Sequence, residues 1–432
     1  MKKRLLSLAV CLVAVGVVGC HRPAAKLDYN RPLPPGQLAL RKITDPEQIP
    51  DFTYGCYSMA GMRKAIDASL NYLSKPSSRQ FFPYGRITHT RAVESLHLFR
   101  RLIDSGLRGE QLNSAIRRNF DVYMSVGCDD RGTVLFTGYY TPIFDGSTKP
   151  TARFKYPLYA PPDNLVKDRY GQVLGLRLAN GEISPCPTRA ELSRSGILAG
   201  KELFWLADPF EVYIAQVQGS VKLRMPDGRL VTASYAASNG HEYRSVARKL
   251  VDDGRIPADK MSLAAMIDYF KQHPEQVDEY TRYNDRFVFF RVSQGPPRGS
   301  LNEPVTPLRT IATDKSIYPR ACLAFIDTTL PAIINGRIYH DPYRGFALDQ
   351  DTGGAIRAAG RCDIYMGIGD DAGRLAGQTY RQGKLYYLFA KQQPSVAEAD
   401  FISQQAPHPD KTAAQLVPGP AGRSRSLPKA QH

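Results

Sequence analysis

Beyond its first twenty residues the chain has no apolar run long enough to span a bilayer, which excludes a membrane-crossing helix from the rest of the sequence. Its lysines and arginines are scattered, with no basic run that carries interleaved aromatics. The formal charge of +16 therefore does not read as a nucleic-acid stripe, and no nucleic-acid partner is expected. A diffuse positive field suits an anionic polymer such as a cell wall, where it acts on encounter and non-specific binding. Cysteines are few, and their spacing matches no zinc pattern. No internal repeat is present, which argues against a solenoid. What remains is globular in composition, and 432 residues are enough for two domains of ordinary size.

The first twenty residues are of a different kind. Lys2, Lys3 and Arg4 precede an apolar stretch over residues 5–18, the pattern of an export signal. Its end, Val17-Val18-Gly19-Cys20, resembles a bacterial lipobox, in which Cys20 would be acylated and become the first mature residue. Each buried CH₂ of such a lipid contributes about 0.8 kcal/mol of anchoring. His21, rather than Asp, follows Cys20; by resemblance to enterobacterial lipoproteins this favours the outer membrane, with the protein on its periplasmic face. Five thiols then remain, Cys56, Cys128, Cys186, Cys322 and Cys362, an odd number that leaves at least one unpaired. Residues 20–50, rich in Pro and charge, read as a tether from the lipid to the fold, and residues 393–432, which lose all periodicity, as a disordered tail.

Between these ends the hydrophobic period changes several times. Val93, Leu96, Phe99, Leu102 and Ile103 mark one helix face, with Gly106 as its stop. Leu112, Ile116 and Phe120 mark a second. From Val134 the period becomes two, and Val134-Leu-Phe-Thr-Gly-Tyr-Tyr-Thr-Pro142 reads as a strand ending at a proline. Its tyrosines, each an apolar body with a polar tip, suit a surface on which a sugar ring stacks. Residues 145–290 alternate short strands and turns. Alternation over residues 212–220 predicts a strand with Gln216 and Gln218 on one uncharged polar face, as in a polysaccharide groove. A helix is expected to carry Tyr243, Val246, Ala247, Leu250 and Val251, and another to start at Ser262. His241 reads either as a base or as a surface histidine. Residues 308–392 return to strands.

The chemistry is expected in Asp351-Thr-Gly-Gly-Ala-Ile-Arg-Ala-Ala-Gly-Arg-Cys-Asp363-Ile-Tyr-Met-Gly-Ile-Gly. It reads as two short strands joined by a glycine-bearing turn, with Asp351 opening the first and Asp363 the second. Two carboxylates so placed can converge on a pocket that sets their pKa values. The alternative is two strand-end aspartates making turn hydrogen bonds.

The sequence resembles the membrane-bound lytic murein transglycosylase A family, and its C-terminal part the domain named for three aspartates. The matching pieces include Phe136-Thr-Gly-Tyr-Tyr-Thr-Pro142, Gln218-Gly-Ser220, Ser238-Asn-Gly-His-Glu-Tyr-Arg-Ser245, Ile311-Ala-Thr-Asp314-Lys-Ser, Asp351-Thr-Gly-Gly-Ala-Ile356 and Asp363-Ile-Tyr365, collinear over roughly residues 130–392. The resemblance implies a mainly β fold. A double-psi β-barrel would be built from residues 51–144 and 297–392 with flanking helices. A smaller β-domain, residues 145–296, would be inserted as the other wall of a glycan groove. Two departures from the family pattern, Ala321 and Ala358 where glycine is usual, leave the local backbone path open.

The resemblance also implies roles. The family's aspartates map onto Asp314, Asp351 and Asp363, with Asp363 as the catalytic acid. Thr137, Tyr139, Tyr140, Gln218, Gly219 and Ser220 would bind a peptidoglycan strand. The reaction would be cleavage of the β-1,4 bond between N-acetylmuramic acid and N-acetylglucosamine without water. It needs no cofactor and no metal, and it leaves a 1,6-anhydro end. Other cell-wall enzymes are candidate partners. Competing readings are a non-catalytic peptidoglycan-binding lipoprotein, a hydrolase using Asp363 and Asp351 as acid and base, and a calcium site on the three aspartates.

Overall fold

The computed structural model describes residues 27–392. The signal, Cys20 and the tail expected over 393–432 lie outside the described residues. Among the described residues no helix is long and apolar enough to cross a membrane.

Six strands close on themselves. They are β1 (Val134–Thr141), β2 (Thr310–Ala312), β3 (Leu323–Ile334), β4 (Arg337–Asp351), β5 (Arg361–Ile368) and β6 (Tyr380–Ala390). Their order around the barrel is β6-β3-β4-β2-β5-β1, and β1 returns to β6. Closure depends on the length of β6. Residues 380–383 pair with β1, residues 384–387 with β3, and the last five with the strand Phe120–Ser125. The pairs β1–β5 and β2–β4 are parallel and the others antiparallel. This is the mixed barrel of N- and C-terminal segments that the double-psi expectation described, and closing it removes the sheet edges that would invite aggregation.

Three helices, Met62–Ser74, His89–Asp104 and Gly109–Asn119, cover the barrel. Thr88 caps the second by accepting from the backbone N–H of Arg91. Phe99 of the second lies 4.9 Å from Phe346, and Phe52, in the segment ahead of the first, meets Phe325 edge-on at 4.8 Å. Phe120, expected on the third helix, instead starts the Phe120–Ser125 strand. Leu40–Lys42 pairs with that strand, so the tether expected over 20–50 gives way to folded chain before residue 50.

Residues 143–293 form a second, six-stranded sheet, ordered Val288–Ser293, Leu230–Ser238, Ser220–Arg224, Ile143–Ser147, Glu202–Leu206, Tyr156–Tyr159. A three-stranded sheet lies between residues 165 and 184. The strand expected over residues 212–218 is a helix, Pro209–Gln218. Its apolar residues alternate as in a strand, but the ends decide: Asp208 caps the Phe210 N–H, Pro209 takes the first turn, and Gly219 closes it at φ 76°. Gln216 and Gln218 therefore do not share a strand face. Tyr243 lies outside its expected helix, which is Val246–Asp252. Ser262 caps the helix Leu263–Gln272 as expected. Cys56, Cys128, Cys186, Cys322 and Cys362 are all buried and free.

The two departures from glycine keep the backbone glycine would take. Ala321 has φ 62° and Ala358 φ 63°. A left-handed non-glycine residue costs roughly 1–2 kcal/mol. Ala358→Gly is therefore expected to stabilise the fold by about 1 kcal/mol, after allowing for the added freedom of the unfolded chain, and to raise the urea midpoint. A lower midpoint would mean that the Ala358 methyl contributes more than the strain costs.

Candidate active site

Strand register brings the two predicted carboxylates together. Ala312 on β2 stands opposite Asp351 on one side and Asp363 on the other. The aspartates are thus two strand spacings apart, about 10 Å between backbones, with their side chains in one row. Asp351 ends the long strand β4 rather than opening a short one, and Asp363 is the third residue of β5. The segment between them is a loop whose residues Gly353 to Ile356 form one wall of a cleft. Gly138, Tyr139, Gln218 and Asp363 also line that cleft.

Asp363 is half-buried and faces Thr137 across the β1–β5 pair. The Thr137 hydroxyl donates to Asp363 Oδ1. Arg361 in turn donates to Thr137 Oγ1 at 3.2 Å, which commits the hydroxyl proton to Asp363. Among the described residues Oδ2 has no partner, which leaves it available to a ligand. Burial pushes the Asp363 pKa up to about 6; the Arg361 charge works against this and the Asp351 charge adds to it.

Asp351 is treated differently. Its carboxylate accepts from the backbone N–H of Ser300 at 2.7 Å and of Thr352 at 2.8 Å, and from the Tyr139 hydroxyl at 2.8 Å. Burial raises its pKa, and these donors oppose the rise. Asp351 thus has three donors that favour its charged form where Asp363 has one. Tyr139 also packs its ring on Tyr365, centroids 5.2 Å apart.

Asp314 does not line the cleft. It accepts from Ser316 N–H and hydroxyl, and from Ala358 N–H at 3.0 Å, so it braces the loop between the other two aspartates. Among the described residues no three acidic, His or Cys side chains gather as they would around a cation. Tyr140 turns the other way and packs on Gly373; its N–H is held by Gln218 at 3.1 Å. Ser220 is buried on Thr141, which also meets Tyr365. Gly219 serves as the helix stop. His241 is tied to the Cys186 carbonyl at 2.7 Å and does not line the cleft. Arg189, Gln216, Tyr243, Asn284 and Arg286 do line it. No role was expected of the two arginines.

Two family models match the chain: the MltA specific insert domain over residues 135–291 and the 3D domain over residues 309–389. Membrane-bound lytic murein transglycosylase A of Escherichia coli K12 is 32% identical over 273 residues, 62% of this chain and 69% of that protein. The chain belongs to this family. The Vibrio cholerae relative is 31% identical over 275 residues, 63% of this chain and 69% of that protein. A crystal structure of membrane-bound lytic murein transglycosylase from Agrobacterium tumefaciens superposes with TM-score 0.67 at 25% identity, covering 82% of this chain and 98% of that one. E. coli MltA with bound chitohexaose gives TM-score 0.61 at 27% identity over 82% and 95%.

Proposed function

We propose that Asp363 carries both proton transfers of a water-free glycan cleavage. As a member of the MltA family the protein is a lytic transglycosylase that acts on peptidoglycan strands. Asp363, protonated, gives its proton from Oδ2 to the oxygen leaving the muramyl C1. The same carboxylate then takes the proton of the muramyl 6-hydroxyl as that oxygen closes on C1. One carboxylate suffices because the nucleophile belongs to the substrate, unlike the two-carboxylate glycosidases. Asp351 stays ionised, keeps the proton on Asp363, and stabilises the positive charge that develops at C1. Asp314 is a positioning residue for the loop. Thr137 orients Asp363, and Tyr139 and Gln218 offer an aromatic face and an amide to the sugar. The observation that carries this reading is the half-buried carboxyl that lines the cleft, with one oxygen held by Thr137 and the other without a partner among the described residues.

The catalytic unit is taken as residues 51–144 with 297–392, and residues 145–296 as the insert that forms the opposite wall. Lipidation at Cys20 would hold the enzyme on the periplasmic face of the outer membrane, beside its polymer and other cell-wall enzymes. Digestion of purified murein is expected to release muropeptides ending in 1,6-anhydromuramic acid, lighter by one water than the hydrolytic products. Reducing ends in their place would make the protein a hydrolase. No release with retained binding would make it a binding module.

The pH dependence follows from the free-enzyme acid. With the Asp363 pKa near 6, kcat/KM is expected to fall about tenfold per pH unit above that value and to level off below it. A profile flat from pH 5 to 8 would remove Asp363 as the acid.

A further inference from the structure

The cleft that Asp363 lines also carries two arginines with no ion-pair partner among the described residues. Arg189 is 7% exposed and donates to the carbonyls of Asn284 at 3.0 Å and Arg286 at 2.6 Å, and to Gln216 Oε1. All of these acceptors are neutral. The guanidinium lies over the rings of Tyr213 and Phe287, at 5.1 and 5.2 Å. Arg286 donates to the His241 carbonyl at 3.2 Å and packs on the backbone of Gly354, where a Cβ would come within 3.0 Å of its Nε. Besides burial, the groups acting on Arg286 are the Tyr235 hydroxyl and then another cation, Arg357. Gln216 adds a second signal. Its oxygen is taken by Arg189, which turns its amide nitrogen away, and that Nε2 has no partner although the residue is only 3% exposed.

A buried cation and a half-buried one without counter-charge, beside a buried unpartnered donor, are costly unless a ligand supplies acceptors. A planar carboxylate is the group a guanidinium fork matches best. We infer that Arg189, Arg286 and Gln216 form a subsite for a carboxylate carried on the muramyl side of the substrate. This rests on the transglycosylase reading, because it is peptidoglycan that supplies the group. Hydroxyls and acetamido groups are common to both of its sugars. A carboxylate enters only through the muramyl lactyl group, free or extended by the stem peptide. The subsite would thus set the register of the strand, placing a muramyl and not a glucosaminyl C1 at Asp363.

The test compares four substrates with the wild-type enzyme: intact murein, glycan stripped of stem peptides so that lactyl carboxylates are free, and each of these after coupling its carboxylates to a neutral amine. Neutralisation is expected to raise KM about tenfold or more for the form that carries the recognised carboxylate, with kcat changed far less. If the lactyl group is the ligand, stripped glycan binds at least as well as intact murein. If the stem supplies it, stripped glycan behaves like neutralised murein. Arg286→Gln is expected to raise KM on the charged substrate by a similar factor and to lose the distinction between charged and neutralised forms. Equal KM for charged and neutralised substrates with the wild-type enzyme overturns the subsite, and that arm depends on no variant folding. Anhydro ends are read in every arm. Their absence overturns the transglycosylase reading, whereas their presence with a charge-blind KM overturns only the subsite.

Discussion

Asp363→Asn is expected to lower the rate of anhydro-end formation by about 10²–10⁴-fold while leaving murein binding in place. Asn keeps the shape and still accepts from Thr137, but it neither gives nor reclaims a proton. The fold is not expected to suffer. The folded pKa of Asp363, about 6, lies above the unfolded value near 3.9. Between those values the native state keeps a proton that the unfolded chain has released, so stability falls as pH rises through that window. Above pH 6 the native protein carries a buried anion at a standing cost, which Asn removes. Thermal melts at pH 7 are therefore expected to show the variant at least as stable as the parent. An inactive variant that also melts early would point to a structural defect instead.

Lys315→Met is expected to destabilise the protein by about 3–5 kcal/mol, the cost of breaking a buried pair and stranding one charge. Lys315 and Asp349 are ion-paired inside the barrel with side chains 5% and 0% exposed. Asp349 also accepts from the hydroxyls of Thr313 at 2.7 Å and Tyr387 at 2.6 Å, and Lys315 donates to Thr313. Tyr387 stacks on Tyr318, so the network sits in the aromatic interior. Losing the cation leaves Asp349 with two hydroxyl donors and no counter-charge. Urea midpoints measure the effect, and Lys315→Met with Asp349→Leu is expected to recover most of it, since apolar replacement of both partners is often neutral. If the single variant matches the parent, the pair contributes nothing to stability. Lys315 also draws down the pKa of Asp351, so the pair links barrel interior to active site.

That network shows where sequence reading stops. Lys315 and Asp349 are 34 residues apart and belong to no local pattern; only the β2–β4 pairing and the turn after β2 bring them together. The Asp351–Asp363 pair was legible because each aspartate adjoins an apolar alternating strand and the glycines between them announce a loop. Their sharing of one row depends on Ala312, whose place between them no local signal carries. The helix Pro209–Gln218 was misread because β-branched residues at 212, 214 and 217 imitate a strand; the capping signals at Asp208, Pro209 and Gly219 outrank that composition. The cationic wall was not legible at all. Arg189 and Arg286 are separated by about a hundred residues of insert and meet only through backbone carbonyls.

The most direct test is the titration of the Asp363 carboxyl itself, followed by the difference in carboxyl ¹³C NMR between the wild type and Asp363→Asn. A midpoint near pH 6 is the predicted result, which leaves about a tenth of the groups protonated at pH 7. A midpoint near 4, the value of a carboxyl in open water, would leave no proton to donate and would contradict the account.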